Sequence, residues 1–207
     1  MTLYQDLIRF MQNLTYGDSG LAVEQIQTAL NLGGLTRLPR LLINSEFDAL
    51  TTGRVMEFQS LNHLSVDGVV GPQTSAKLPQ AGPGQSDPPD PPQGRSVLVD
   101  LFNRKLTAYD HGASALNISP IAGGRPGYRS TNGMFEMTTR RLRRHSSSEF
   151  PGKDNMDFAL FYNEGEALHQ GDPNVQSHGC IHVPAPYAER LFNWAASTDI
   201  WVIVMGA

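Results

Sequence analysis

Three observations predict an α+β protein built in two parts. Apolar residues recur at helical spacing before residue 78, alternation of period two follows residue 95, and a proline-rich break lies between them. The break is PQAGPGQSDPPDPPQG at 79–94, where six of sixteen residues are proline. Proline lacks a backbone donor and cannot continue a helix or a sheet ladder, so this stretch reads as an extended spacer. The expected organisation is therefore a small N-terminal three-helix bundle at 1–78, a linker at 79–94, and a mostly-β domain with one helix at 95–207.

In the first part, Val23, Ile26, Gln27 and Leu30 follow Ser19 and Gly20 at helical spacing. Asp18 or Ser19 is the expected cap and Gly33-Gly34 the stop. A second helix is expected from about Thr51 to Leu61, burying Val55, Phe58 and Leu61. A third begins at Pro72, a residue suited to a first helical position, and ends near Leu78. A shift of 23 residues lays Asn44-Ser45-Glu46-Phe47-Asp48-Ala49-Leu50-Thr51 on Asp67-Gly68-Val69-Val70-Gly71-Pro72-Gln73-Thr74. Each copy is a polar turn, an apolar anchor and a threonine opening a helix, which suggests pseudo-symmetry.

In the second part, SVLVDLF (96–102), RKLTAYD (104–110), SALNISPIA (114–122) and GMFEMTT (133–139) are strand-like and separated by turns. Further strands are expected at 157–162 and 165–169. One amphipathic helix fits Ala185–Ala196, with Tyr187, Leu191 and Trp194 inward, and Asp199–Met205 closes the domain as a strand. Arg140, Arg141, Arg143, Arg144 and Lys153 form a basic patch. It reads as a solvated loop, or alternatively as a lid that attracts carboxylate-bearing substrates.

Charge and composition exclude several classes. Residues 1–78 carry 5 basic and 7 acidic side chains and residues 96–207 carry 10 and 11, so neither part has a nucleic-acid binder's basic excess. Asp6 and Arg9 interrupt the N-terminal apolar stretch, which is too short to span a membrane and lacks a signal peptide's basic start and cleavage site. A single cysteine excludes an intrachain disulfide framework.

That cysteine carries the chemistry. Three of the six histidines lie with it in HQGDPNVQSHGCIH, residues 169–182. An unperturbed thiol has a pKa of about 8.5, and a nearby imidazole can take its proton and make it a nucleophile near neutrality. Gly179 lets a substrate approach the backbone closely, and the Gly179 and Cys180 N–H groups could hold a developing oxyanion. A buried structural cysteine is the plain alternative. A zinc site is a third reading, because His178 and His182 stand four apart as on a helix. Gly179 and Pro184 argue against that helix and no carboxylate sits at a ligand-like offset, so no metal and no cofactor are expected.

Two resemblances sharpen this reading. GDSGLAVEQIQTAL, FDALTTGRVMEFQ and LSVDGVVGPQTSAKL, over about residues 14–78, resemble the peptidoglycan-binding domain attached to cell-wall enzymes. Its first repeat departs, with Asn44-Ser45 and Asp48 where Asp-Gly and Gly are usual. SHGCIH at 177–182 resembles the signature of the L,D-transpeptidase (YkuD-like) catalytic domain. RSVLVDLFNRKLTAYDHG, STNGMFEM, FYNEGEALH and WVIV resemble its supporting segments, over about residues 95–207.

This second resemblance implies a β-sandwich-like fold with Cys180 as nucleophile and His169 as base. It implies that the Gln170 carbonyl orients that base and that His178 and Gly179 belong to the catalytic turn. Ser177, His182, Gln170 and Tyr162 are implied on the substrate side. Two departures stand out: a short gap of seven residues between His169 and Ser177, and His182 where Arg or Asn is usual.

The implied activity is attack on the bond before the terminal D-alanine of tetrapeptide stems, giving a Cys180 thioester. An amine then gives a 3→3 cross-link, a free D-amino acid gives exchange, and water gives carboxypeptidase activity. Implied partners are peptidoglycan stem peptides and glycan, with no nucleic acid. Action is expected in the periplasm or cell envelope. Without a signal peptide, delivery as an interbacterial effector with a secretion or immunity partner is an alternative to ordinary export. A non-catalytic wall-binding protein and a zinc hydrolase are the readings from other classes.

Overall fold

The computed structural model describes residues 13–33, 36–79, 91–147, 155–196 and 199–207. The chain divides into two compact units, Met1–Gln93 and Gly94–Ala207. Most of the proline-rich stretch, together with Gly34 and Lys153, lies outside the described residues.

The first unit holds α1 (Leu21–Leu32), α2 (Ala49–Leu61) and α3 (Pro72–Lys77). Helix α1 buries Val23, Ile26, Gln27 and Leu30, as its spacing predicts. Its cap differs from expectation: Gly20 occupies that position with no side-chain bond, while the Asp18 carboxylate accepts from Thr15 N–H at 2.7 Å. Helix α2 starts two residues earlier than expected because Asp48 caps it, accepting from Thr51 N–H at 2.7 Å. Asp48, noted above as a departure from the resemblance, therefore has a local role. Leu61, expected inside, is 59% exposed, and Met56 is buried instead.

The internal repeat has a physical basis in two buried glutamines. Gln27 Nε2 donates to Asn44 Oδ1 (2.9 Å), Glu46 O (2.9 Å) and Thr51 Oγ1 (3.2 Å). Gln59 Nε2 donates to Asp67 Oδ1 (2.7 Å), Val69 O (2.9 Å) and Thr74 Oγ1 (3.2 Å), the same three positions one repeat later. Ser45 and Gly68 both adopt a left-handed conformation in these turns, with φ of 63° and 73°. Gln59 Oε1 also accepts from Asp67 and Gly68 N–H. Gln59→Ala would strand buried donors and a carbonyl, so a loss of about 2–4 kcal/mol is expected in urea unfolding of this unit. A loss below about 1 kcal/mol would show that water or relaxation replaces the glutamine.

The second unit runs β1 (Arg95–Asp100), β2 (Lys105–Asp110), β3 (Ala113–Ile118), β4 (Gly133–Glu136), β5 (Arg141–Leu142), β6 (Ala159–Asn163), β7 (Glu166–Gln170), β8 (Ile181–Val183), α4 (Ala185–Trp194) and β9 (Ile200–Met205). One sheet has the order β3-β2-β1-β9-β4 and the other β5-β6-β7-β8. Val97, Val99, Leu106 and Val202 from the first sheet share a core with Leu160, Leu168, Ile181 and Val183 from the second. Helix α4 adds Ala188, Leu191 and Phe192 to that core, with Tyr187 and Trp194 only partly buried beside it. Strands β5 and β8 are additions to the expected set.

Arg140, Arg143 and Arg144 of the basic patch are exposed, yet several of its arginines also make specific contacts. Arg141 donates to Phe192 O and Arg95 Nη1 to Trp194 O at 2.7 Å, so both meet the last carbonyls of α4 and the negative end of its dipole. Arg143 pairs with Glu189 at 2.8 Å, and Arg140 stacks over Phe161 at 3.9 Å. None of these arginines lines the cleft described next.

Candidate active site

Strands β7 and β8 run parallel, joined by residues 171–180, with Leu168 opposite Ile181 and His169 opposite His182. Side chains alternate along a strand, so Leu168 and Ile181 face the core while His169 and His182 share the other face. Cys180, two residues before His182, falls on that same face and packs beside Ala167, Phe161 and Met156. Cys180, His169, His178, Ser177 and His182 all line one open cleft of about 690 Å³.

Cys180 is half-buried and its thiol donates to Gly165 O at 3.8 Å. His169 is 5% exposed, and its Nδ1 lies 2.8 Å from Gln170 O. A carbonyl only accepts, so Nδ1 carries the proton and the lone pair is on Nε2. Burial lowers the His169 pKa to about 4, the Gln170 bond opposing and His182 assisting that shift. The His169 ring is therefore a neutral imidazole at physiological pH.

The turn leading into Cys180 is held by buried hydroxyls. Ser177 Oγ donates to Cys180 O and accepts from Gly179 N–H at 3.0 Å. Ser130 Oγ donates to Gly179 O at 2.8 Å and accepts from Gly124 N–H at 3.0 Å. Gly179 has φ of +117°, a conformation for which glycine is suited. Its N–H is taken up by Ser177, which corrects the expectation that it serves the oxyanion.

His178 meets a rigid partner. The turn Arg125-Pro126-Gly127-Tyr128 brings Arg125 over the Tyr128 ring at 4.6 Å, and Arg125 Nη2 donates to His178 Nε2 at 2.6 Å. Tyr128 contacts the same imidazole edge-on at 4.7 Å.

The two departures noted in the sequence turn out to be one feature. His182 Nδ1 donates to Val175 O at 2.7 Å and to Asp172 O at 3.2 Å, tying down the short 171–177 segment. A β-carbon on Gly171 would lie 2.6 Å from the His182 ring. Gly171→Ala is therefore expected to cost about 1–3 kcal/mol by overpacking. It should also displace the His182 ring signals in an NMR spectrum. Unchanged signals would place the strain elsewhere.

Gln170 contributes its carbonyl rather than a cleft-lining side chain. Tyr162 does not line the cleft either: it is 3% exposed in the core, and its hydroxyl donates to Glu166 at 3.0 Å. Sequence reasoning missed Ser130, Thr131, Glu166 and the Arg125–Tyr128 pair. Only STNG and FYNEGEALH, noted there as supporting segments, pointed towards the first three. Among the described residues no group of three or more His, Cys, Asp or Glu could hold a metal ion.

Comparison with known proteins matches each part of the chain to a family. The peptidoglycan binding domain family matches residues 19–78, and the L,D-transpeptidase catalytic domain family matches residues 94–204. Among solved structures, the chain is similar to an L,D-transpeptidase from Stackebrandtia nassauensis, at 18% identity and a TM-score of 0.50, covering 93% of this chain and 95% of that one. It is also similar to one from Xylanimonas cellulosilytica DSM 15894, at 26% identity and a TM-score of 0.48, covering 94% and 98%. No curated protein matches.

Proposed function

Because residues 94–204 belong to the L,D-transpeptidase catalytic-domain family, we propose that this chain modifies peptidoglycan stem peptides through a thioester on Cys180. One observation supports the reading: His169 and Cys180 line one cleft beside the parallel β7–β8 pair. His169 Nε2 takes the thiol proton as Cys180 Sγ attacks the carbonyl preceding terminal D-alanine. The tetrahedral intermediate collapses, the C–N bond breaks, and the leaving amine takes the proton from His169. A thioester to the third stem residue remains.

An amine resolving that thioester gives a 3→3 cross-link or an exchanged D-amino acid. Water gives a tripeptide, a reading favoured by the open cleft above the short 171–177 segment. The module at 19–78 would hold the enzyme on the wall and raise local substrate concentration. Action on the envelope side fits both domains, and no helix among the described residues is long and apolar enough to cross a membrane.

Intact-protein mass spectrometry after mixing with tetrapeptide muropeptides tests the proposal. A mass increment localised to Cys180, with D-alanine released, is expected. Release without any adduct on Cys180, in rapidly quenched samples, would point to a different mechanism.

A further inference from the structure

The cleft contains one carboxylate whose supports are all neutral. Glu166 opens β7, three residues before His169. Thr131 Oγ1 donates to its Oε1 at 2.7 Å, Thr131 N–H reaches both oxygens at 3.2 Å, and Tyr162 OH donates to Oε2. The Tyr162 ring is packed in the core against Phe135 at 5.5 Å, so the hydroxyl that aims the carboxylate is itself fixed.

Its aim is towards the nucleophile's turn. A β-carbon on Gly179 would lie 3.6 Å from Glu166 Oε1, and the neighbouring Gly165 carbonyl accepts from the Cys180 thiol. Glu164 and Asp172 also line the cleft, and among the described residues no lysine or arginine does. Arg125 is engaged with His178 and Tyr128. A carboxylate so placed offers a cation entering the cleft a charge-assisted hydrogen-bond partner.

We propose that Glu166 is a specificity-determining residue that holds the ammonium group of the amine resolving the Cys180 thioester. This rests on the thioester reading above. An aliphatic amine is an ammonium ion at neutral pH, and a carboxylate beside the thioester gives it a charge-assisted hydrogen bond. The bound ammonium loses one proton to solvent, and its lone pair forms the new C–N bond. The C–S electron pair returns to Cys180 Sγ, and His169 moves the remaining excess proton from nitrogen to sulfur.

The test uses the full chain, tetrapeptide muropeptide as acyl donor, and two competing nucleophiles: an amine-bearing stem peptide, and hydroxylamine, which is uncharged near neutrality. The readout is the ratio of aminolysis to hydrolysis products, which counts events per thioester and is independent of the acylation rate. Glu166→Gln is expected to lower the stem-amine ratio at least about tenfold and raise the KM for that amine. Its hydroxylamine ratio should hold, and Glu166→Asp should recover part of the loss. In the wild type, added salt should weaken use of the stem amine alone, a result that stands even if a variant fails to fold.

Equal ratios in wild type and Glu166→Gln, or parallel loss for both nucleophiles, would overturn the assignment. So would a wild type that yields only tripeptide at every amine concentration. Absence of D-alanine release from the wild type would instead sink the thioester reading, and this inference with it.

Discussion

Cys180→Ala is expected to reduce D-alanine release from tetrapeptide stems by at least roughly 10⁴-fold in kcat/KM, the scale on which removing a covalent nucleophile acts. The substitution removes one sulfur from a half-buried position beside Ala167, Phe161 and Met156, so the fold should survive it. A melting temperature within a few degrees of wild type is the accompanying expectation. Cys180→Ser should be nearly as inactive. A hydroxyl is far harder to deprotonate than a thiol, and a neutral imidazole with its pKa lowered to about 4 is a weak base for that purpose. Steady-state release measured by mass spectrometry, alongside thermal unfolding, checks both variants. Activity within about a hundredfold of wild type in either would mean that another group forms the acyl-enzyme.

The sequence disclosed groups whose chemistry is local and concealed those defined by a distant partner. Pro72 opens α3 because its fixed φ and missing donor suit a first turn wherever the helix packs. The cluster from His169 to His182 was visible because the histidines and the thiol are close along the chain. Strand β8 was not, since three residues following a glycine-containing turn carry too little period to read.

The arginines at 140–143 looked like a charge run because their partners, Phe161, Phe192 and the end of α4, are distant in sequence. Leu61 was read as inward from helical spacing, but α2 fills its inner face with Met56 and with polar groups such as Gln59. The Gly179 N–H was a reasonable oxyanion donor until Ser177 was seen to fold back onto it. Tyr162 illustrates the remaining limit. Its place in a strand was readable, but the register shift between Phe161 and Asn163, and the reach of its hydroxyl to Glu166, were not.

His169→Gln gives the second large effect and separates two accounts of how the thiol is activated. Removing a general base is expected to lower kcat/KM by about 10²–10⁴-fold. In wild type the acid limb of kcat/KM should fall near the lowered His169 pKa of about 4, because that proton must be absent for Nε2 to accept one from Cys180. A limb at 6.5 or above would instead indicate a resting thiolate–imidazolium pair, whose apparent pKa values belong to both groups together.

Stability follows the same titration. In the folded chain His169 stays neutral down to about pH 4, whereas an unfolded imidazole takes up its proton near pH 6.5. Between those values the unfolded state binds more protons, so stability present above pH 6.5 is lost as pH falls through this window. The difference corresponds to about 3 kcal/mol. His169→Gln should flatten that part of the stability curve while abolishing most activity at pH 7. Urea unfolding at pH 4.5 and pH 7 for both proteins decides it: equal losses in wild type and variant would assign the acid sensitivity to other groups and leave His169 no longer the buried neutral base.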